Sequence, residues 1–386
     1  MVIKSILYKI VELSLFKKKE VKREVDGRKK LLIVRIDAIG DFIIFSPMLK
    51  YYRMLYPDYH ITLLVNKLVV DLAKRFNEVD ELISFDRIKF KRNFIYRKSL
   101  LKEIKKRAFD VVIYPTYSRE PNGDYIVRFS GAKEKIGFDG DTCNIKLKDK
   151  LKNDKYYTKL IPATPGIVVE TDRNKEFVEG LGIKVNSPIP YFTPSNEDKE
   201  EAHKFIFSNG LKNNQFVVIT PGAQSTRKRW PLEKYAEVVK WLKKEKNIDV
   251  VICGSQDEYS IGKRIKKIAN VPIINIAGKT TLPVLAAILN ESLLYIGNDT
   301  GTVHLAAAVG TPTICIIGGG HFGRFFPYGN LRKNRIVYYK MDCFNCNWRC
   351  IYPYRIGSPM PCISNIQVND VLREIEIVLN EIRESR

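Results

Sequence analysis

The sequence predicts an α/β protein made of two doubly wound domains, each built on a mostly parallel sheet. In the first half, the apolar runs LLIVRI (31–36) and ITLLV (61–65) flank a helical stretch, and their spacing of about 30 residues is that of a β-α-β unit. In the second half, FVVIT (216–220) and DVVICG (249–254) repeat this arrangement. Strands that alternate with helices in this way indicate parallel sheets covered by helices on both faces.

The first strand leads through the turn DAIGD (37–41) into the helical stretch FIIFSPMLKYYRMLY. Asp41 closes this turn beside the predicted helix start. A carboxylate in that position can take a proton from a hydroxyl group held in a cleft. Capping of the helix is the commoner use of a lone aspartate, and it stays open as the alternative.

A proline-containing segment, SPIPYFTPSNEDKE (187–200), separates the two halves. Within it, Ser195 and Asp198 form a capping-box pattern that predicts the start of a helix. The expected organisation is a basic amphipathic extension (1–29), a first Rossmann-like domain (30–192), a second Rossmann-like domain (193–365) and a C-terminal helix (366–386) that could pack back on the first domain.

The loop PGAQSTRKRW (221–230) follows the first strand of the second half. Glycine, hydroxyl groups and cations directly after a strand suit an anionic ligand, although a solvated basic loop has the same composition. Lys228 could neutralise a departing diphosphate in place of a metal ion. The candidate binding residues of this loop are Gly222, Gln224, Ser225, Thr226 and Lys228.

A second candidate site follows the apolar run LLYIGN (293–298). A helix is predicted to begin near Gly301, and its unpaired N–H groups would suit a phosphate or diphosphate. An ordinary N-cap is the alternative. The glycine triplet 318–320 ends the next predicted strand. The candidate residues here are Asp299, Thr300, Gly301, Thr302 and His304.

Four cysteines are clustered near the C-terminus with the spacing C-x2-C-x3-C-x11-C. This spacing could close a tetrahedral thiolate site around a zinc ion. Such an ion would be structural, because four protein ligands leave no open coordination position for a substrate. Reduced thiols packed in a surface loop are the alternative. The residues concerned are Cys343, Cys346, Cys350 and Cys362.

The composition is basic, with 65 Lys and Arg against 43 Asp and Glu and a net charge of +22, while 45% hydrophobic residues exclude a disordered chain. The basic excess is concentrated in residues 1–30 and in residues 87–107, where Glu103 is the single acidic residue. This favours a local anionic surface over a nucleic acid. The first 16 residues place Ile3, Ile6, Leu7, Ile10 and Leu13 on one helical face, ahead of Lys17. Such a helix can lie in the plane of an anionic leaflet or dock on protein; no predicted segment spans a membrane.

Together, these motifs resemble glycosyltransferase family 9, whose best-known members are the ADP-heptose:lipopolysaccharide heptosyltransferases. The matching pieces are LLIVRIDAIGDFIIFSPML, VVITPGAQSTRKRWPLEKYAEVV, DVVICGSQDE and YIGNDTGTVHLAAAVGTPTICIIGG. The resemblance implies a GT-B fold, in which two Rossmann-like domains face each other across a cleft. It also implies that the second domain holds a nucleotide-sugar donor and the first a lipid-linked saccharide acceptor.

The resemblance further implies residue roles. Asp41 would be the base that activates the acceptor hydroxyl, Lys228 would contact the donor diphosphate, and Glu258 would lie near the nucleotide ribose. Asp299, Thr300, Gly301 and His304 would form the donor loop. The reaction would be an inverting displacement with no cofactor required for catalysis.

The expected location is the inner face of the bacterial cytoplasmic membrane, with the enzyme cytoplasmic and peripheral, and no nucleic-acid partner is expected. ADP-heptose is the first choice of donor, and a lipopolysaccharide core or a related lipid-linked saccharide is the first choice of acceptor. The alternatives are a family 9-like transferase of another nucleotide sugar, such as a UDP-sugar, and a nucleotide-sugar 2-epimerase. A non-enzymatic protein that binds anionic surfaces is a third.

Overall fold

The computed structural model describes residues 27–384. The amphipathic helix predicted within residues 1–16, and most of the extension 1–29, lie outside the described residues. The chain forms two compact units. The first comprises residues 27–38, Met48–Ile167 and Asp172–Pro188, and the second comprises Ile39–Pro47, Val168–Thr171 and the chain from Ile189 onward.

The first unit contains a parallel sheet of six strands in the order β3-β2-β1-β4-β5-β6. In its register, Ile33 lies opposite Leu63 on one side and opposite Ile113 on the other. The strand order reverses between β1 and β4, which is the topological switch point of a doubly wound sheet. The strands are β1 (Lys30–Arg35), β2 (His60–Asn66), β3 (Glu81–Phe85), β4 (Val111–Tyr114), β5 (Glu134–Phe138) and β6 (Lys159–Ile161).

The second unit repeats this topology, with six parallel strands in the order β12-β11-β10-β7-β8-β9. Its switch point lies between β7 and β10, where Ile296 is paired with Ile219. The strands are β7 (Phe216–Thr220), β8 (Asp249–Ile252), β9 (Ile274–Asn275), β10 (Leu294–Asn298), β11 (Thr313–Ile316) and β12 (Asn334–Val337).

Helices cover both sheets. In chain order they are α1 (Ile39–Phe45), α2 (Leu49–Leu55), α3 (Val70–Ala73), α4 (Arg87–Arg92), α5 (Phe94–Lys106), α6 (Pro121–Phe129), α7 (Leu147–Asp154), α8 (Glu170–Glu179), α9 (Asn196–Ser208), α10 (Leu232–Lys244), α11 (Tyr259–Ala269), α12 (Leu282–Asn290), α13 (Gly301–Ala308), α14 (Pro361–Ser364) and α15 (Val368–Glu384). Within residues 27–384, no helix is both long and apolar enough to cross a bilayer.

The helix boundaries follow local chemistry. The helical stretch predicted after β1 is two helices, α1 and α2, separated by a 3-10 turn at Ser46–Met48. Pro47 lies in this turn, and its missing N–H group interrupts the hydrogen-bond ladder. The capping box predicted at Ser195 is confirmed: the Asp198 N–H donates to Oγ of Ser195 (3.2 Å), and the Ser195 N–H donates to Oδ2 of Asp198 (2.9 Å).

The C-terminal helix α15 packs within the second unit, in contrast to its expected place on the first domain. Its apolar face, which includes Val371, Ile375 and Val378, is buried in the core that β7, β8 and α10 share. Arg335 on β12 pairs with Glu374 (3.1 Å) and Glu381 (2.6 Å) on its polar side. An amphipathic helix docks where both its apolar and its charged faces find partners, and α15 finds them there.

Candidate functional site

The loops that follow β7 and β10 flank the switch point of the second sheet. The loop 221–230 continues from Thr220 at the end of β7, and Asp299 and Thr300 follow the end of β10. Ligands of doubly wound proteins bind at the carboxyl ends of the strands next to the switch point. Both loops that the sequence predicted to bind an anion are therefore at one place in the fold.

One buried side chain ties these loops together. Asn298, the last residue of β10, has no solvent exposure (0%). Its Nδ2 donates to the carbonyl groups of Pro221 (2.9 Å) and Gly222 (3.0 Å), and its Oδ1 accepts the backbone N–H of Trp230 (3.0 Å). Asn298 is not among the residues predicted from the sequence. The available signal was an amide at the last position of an otherwise apolar strand.

The first turn of α13 has the backbone geometry of a helix N-terminus that is open to an anion. Thr300 is its N-cap, with extended backbone (φ −142°, ψ 175°), and the helix begins at Gly301 as predicted. Thr302 is half-buried in the first turn, and the Asp299 N–H donates to the carbonyl of Ile316 on β11 (3.3 Å). The first N–H groups of a helix lack intrahelical acceptors and carry the positive end of its dipole. This terminus can therefore accept a phosphate.

His304 lies one turn further along α13 and is 4% exposed. Its Nδ1 is hydrogen-bonded to the hydroxyl of Tyr328 (3.2 Å), and the two rings are stacked with a 13° angle between their planes. Burial lowers the pKa of His304, although the charges of Asp299 and Asp41 oppose the shift. The imidazole is therefore neutral near pH 7.

Asp41 lies in the first turn of α1, and the segment Ile39–Pro47 groups with the second unit. There α1 packs against α13 so closely that a Cβ on Gly40 would overlap the His304 ring. The charges of Asp41, Asp299 and Lys228 all act on His304. Residues predicted from three separate motifs are therefore close enough to interact electrostatically with His304.

The loop after β7 presents Lys228 at the end of a 3-10 turn, Thr226–Lys228. The Lys228 Nζ lies 4.1 Å from the ring centroid of Trp348. In the same loop, Gln224 and Thr226 are exposed and Ser225 is half-buried.

Glu258 completes the predicted set in the second unit. Its Oε2 accepts hydrogen bonds from the backbone N–H (2.9 Å) and the hydroxyl (3.1 Å) of Ser255, in a capping box at the turn after β8. Its carboxylate also lies against Gly222, where a Cβ would overlap it. Glu258 therefore adjoins the loop that carries Lys228.

The structure does not confirm the zinc site predicted for the four cysteines. Within residues 27–384, no group of three or more His, Cys, Asp or Glu side chains is arranged to hold a metal ion. Cys343, Cys346 and Cys350 are partly exposed, and Cys362 is buried. Burial raises the pKa of the thiols of Cys343 and Cys362. The zinc site therefore stays a prediction, with reduced thiols as its alternative.

The first unit holds a buried ion network that no sequence motif predicted. Arg119, 1% exposed, follows β4 and pairs with Asp124 and Asp154, and its guanidinium lies over the ring of Tyr157 (4.8 Å). Burial alone would lower the pKa of Arg119, but Tyr157 and Asp124 hold it above its ordinary value. Lys150 joins the network through Asp154 (3.1 Å).

Comparison with known proteins gives a consistent result. The family model for "Glycosyltransferase family 9 (heptosyltransferase)" matches residues 97–349, more than half of the chain. Those residues include every candidate in the two loops and Glu258, whereas Asp41 precedes them. The chain is 28% identical over 316 residues to the lipopolysaccharide core heptosyltransferase OpsX of Haemophilus influenzae, and the alignment covers 81% of this chain and 86% of OpsX.

Two solved structures share the fold. One is a family 9 glycosyl transferase from Veillonella parvula, with a TM-score of 0.72, 21% identity and coverage of 94% of this chain and all of that one (100%). The other is the ADP-heptose lipopolysaccharide heptosyltransferase II of Escherichia coli, with a TM-score of 0.66, 18% identity and coverage of 91% and 99%. These likenesses confirm the predicted fold class of two Rossmann-like domains, the GT-B class.

Proposed function

We propose a specific reaction for this chain, which belongs to glycosyltransferase family 9 and is a glycosyltransferase. It transfers a heptose from ADP-heptose to a hydroxyl group of a lipopolysaccharide core or a related lipid-linked saccharide, with inversion at the anomeric carbon. The observation that carries the proposal is the meeting of Lys228 and the α13 N-terminus at the switch point of the second sheet. The names of OpsX and of the Escherichia coli enzyme support the choice of acceptor and donor.

The donor diphosphate binds at the N-terminus of α13 in this proposal. The backbone N–H groups of Gly301 and Thr302 face the phosphate oxygens, and Thr300 adds a hydroxyl group. The loop after β7 supplies the Lys228 ammonium and the polar side chains of Gln224, Ser225 and Thr226. Glu258 contacts the ribose hydroxyl groups beside Gly222.

Asp41 is the proposed base. Its carboxylate takes the proton of the acceptor hydroxyl as the acceptor oxygen attacks the anomeric carbon from the face opposite the diphosphate. The new glycosidic C–O bond forms while the bond between the anomeric carbon and the phosphate oxygen breaks, and that electron pair leaves with ADP. Lys228 and the helix terminus stabilise the developing charge, so no divalent metal is required.

The proposal is tested by product analysis with one donor at a time. The protein is incubated with ADP-heptose or with a UDP-sugar, in the presence and absence of a deacylated lipopolysaccharide core fragment. ADP release and a heptosylated fragment, both dependent on the acceptor and unchanged by EDTA, are expected. Transfer from the UDP-sugar alone would overturn the donor, and a changed sugar without acceptor would indicate a 2-epimerase. Loss of activity in EDTA that magnesium restores would overturn the metal-free step.

The acceptor is proposed to bind the first unit. An open pocket of about 250 Å³ lies between α6 and α7. Arg128 stacks on the ring of Tyr156 (4.9 Å) in this pocket, and Lys152 and Asn153 contribute further polar groups. Aromatic rings beside cations suit an anionic saccharide, because rings stack on sugar faces and cations pair with acidic groups.

A peripheral position on the inner face of the cytoplasmic membrane is part of the proposal. The helices α4 and α5 expose two apolar side chains, Ile88 (63% exposed) and Ile95 (77% exposed). They stand among exposed cations, and Asp86 fixes the start of α4 by accepting the N–H groups of Ile88 (3.0 Å) and Lys89 (2.9 Å). Exposed aliphatic groups within a basic field suit an anionic leaflet. The cations are Lys89, Lys91, Arg92, Lys98, Lys102 and Lys106.

Vesicle flotation tests this surface with the full chain. Binding to phosphatidylglycerol-containing vesicles is expected to decrease as salt rises and to be weak on phosphatidylcholine alone. The double variant Ile88→Ser/Ile95→Ser should bind about tenfold more weakly, because it loses buried apolar area. The matched control is Ile268→Ser, an exposed isoleucine on α11. Equal losses in the control and the double variant would overturn the assignment of this surface.

A further inference from the structure

The segment that carries the clustered cysteines (residues 343–362, the cysteine segment) runs against the loop after β7 and against the loop after β11. The Asn345 N–H donates to the carbonyl of Gly319 (2.6 Å), and the Asn347 N–H donates to that of Gly320 (3.0 Å). At its other end, the Met360 N–H donates to the carbonyl of Arg227 (3.0 Å). The segment is thus connected to the loop after β11 and to the turn that carries Lys228.

Trp348 has an unusual backbone conformation within this segment. Its φ is +58°, and the preceding Asn347 has a φ of +50°. Asparagine tolerates the left-handed region, whereas a bulky aromatic residue is an outlier there. Such a conformation persists only where the surrounding contacts fix it, and it is concentrated at functional sites.

The indole of Trp348 makes contacts through its ring, whereas its N–H group is unpaired among the described residues. The ring lies against Gly320, where a Cβ would overlap it, and the His321 ring meets it edge to face (6.1 Å between centroids). The indole N–H is buried and has no hydrogen-bond partner among the described residues. A buried indole usually finds an acceptor for its N–H. The contacts of Trp348 are therefore made by its ring and not by its N–H group.

That face holds Lys228. The ammonium lies 4.1 Å from the centroid of the indole ring, and within residues 27–384 it has no ion pair and no hydrogen bond. A carboxylate partner would neutralise the lysine, whereas an aromatic face attracts the cation and leaves its charge available to an anion. Lysine is otherwise a flexible chain with several rotatable bonds.

We propose that Trp348 is a positioning residue, whose ring face holds the Lys228 ammonium where it meets the departing diphosphate of the donor. This inference rests on the proposed function, because it assigns Trp348 to the work of Lys228 in that reaction. It gives the cysteine segment a role in the donor site that requires no metal.

A double-mutant cycle tests the inference, with kcat measured on ADP-heptose and binding of ADP measured by calorimetry. Trp348→Leu should lower kcat by about 3- to 30-fold, the range of a cation–π contact, with the acceptor KM unchanged. Trp348→Phe keeps a ring face without the unpaired N–H, and it should recover most of the rate. In a Lys228→Met background, Trp348→Leu should cause no further loss.

The matched control is Trp241→Leu on α10, since the ring of Trp241 also contacts the ammonium of a lysine, Lys246 (4.7 Å to the ring centroid). It should change neither kcat nor ADP binding. Equal losses of kcat in Trp348→Phe and Trp348→Leu would overturn this inference and leave the proposed function standing. So would a loss of kcat from Trp348→Leu that is undiminished in the Lys228→Met background. Normal turnover and normal ADP binding in Lys228→Met would overturn the proposed role of Lys228 itself, and this inference with it.

Discussion

The two units share one strand order but use charge differently at their switch points. In the first unit, Arg119 follows β4 and is enclosed by Asp124 and Asp154, so the cation is satisfied within the protein. In the second unit, a neutral amide, Asn298, ties the loops, and Lys228 faces an aromatic ring. A cation with internal carboxylates supports the fold, and a cation without one is available to a ligand. Under the proposed function, Arg119 therefore has a structural role, and Lys228 binds the donor.

The largest expected effect falls on chemistry in the second unit. Asp41→Asn should lower turnover by about 10²–10⁴-fold, because the amide cannot accept the acceptor proton. ADP binding and the melting temperature should be unchanged. Steady-state rates, calorimetry and thermal unfolding provide the three measurements.

The matched control for Asp41→Asn is Asp71→Asn, which removes a first-turn aspartate from α3 in the first unit. It should leave the rate unchanged. Near-normal turnover in Asp41→Asn would remove Asp41 from the mechanism and leave it as a helix-terminus residue.

The next largest effect falls on the fold of the first unit. Arg119→Met leaves Asp124, which has no solvent exposure (0%), without its cation. Breaking a buried pair from one side costs about 3–5 kcal/mol, so the urea midpoint should fall clearly. Binding of ADP at 25 °C should persist in the protein that remains folded.

Arg373→Met is the matched control, because its pairing with Asp370 is at the surface (68% exposed) and should contribute about 0–0.5 kcal/mol. If Arg119→Met were as stable as Arg373→Met but bound acceptor poorly, the network would be a binding site, and the contrast between the units would fail.

A smaller effect is expected from loss of the hydrogen bonds by which Asn298 holds the loop 221–230 of the second unit. Asn298→Ala removes three hydrogen bonds and leaves the carbonyl groups of Pro221 and Gly222 and the N–H of Trp230 without this partner. The loop should loosen, and ADP binding should weaken by about tenfold, the usual size for buried polar groups left unpaired. Asn290→Ala, which removes one amide contact to Val309, should bind ADP normally. Unchanged ADP binding in Asn298→Ala would show that the loop is ordered without the tie.

The parts of this structure that local chemistry determines were predictable. The strand β7 matches its predicted bounds, 216–220, and the helix start at Gly301 and the capping box at Ser195 are where the sequence placed them. Each depends on residues within a few positions of one another. The identity of the Lys228 loop as an anion-binding candidate followed from the same local pattern.

The parts that depend on contacts between distant residues were not predictable. The packing of α15 on the second unit and the hydrogen bond from Met360 to Arg227 join positions far apart in the chain. Cysteine spacing alone did not distinguish a zinc site from reduced thiols, because both need the same short turns. Trp348 lies within the cysteine segment, and its contact with Lys228 in the loop after β7 has no sequence signature.

The smallest expected effect is a pH dependence that distinguishes the two units. Burial lowers the pKa of both His304 and His321, and both lie in the second unit. When the pH is below the ordinary histidine pKa of 6.5, His304 binds a proton in the unfolded chain but not in the folded chain. The contribution of the neutral His304 to the stability of the fold is therefore complete above pH 6.5 and is lost as the pH falls below this value. At pH 5.5 the loss at His304 reaches at most about 1.4 kcal/mol.

Tryptophan fluorescence can follow this loss in the second unit, because all 3 tryptophans of the chain (Trp230, Trp241 and Trp348) lie there. The thermal midpoint of this signal should fall between pH 7.5 and pH 5.5. His304→Asn should reduce the fall, and the surface variant His203→Asn should retain it. The first unit contains carboxylates with lowered pKa, such as Asp80 and Glu81. Their contribution to stability is lost only as the pH falls through and below their ordinary pKa values of 3.8 and 4.5, outside the window from pH 7.5 to pH 5.5. If the wild type and His304→Asn showed equal falls, the buried imidazole would not be the group that makes the second unit the more acid-sensitive of the two.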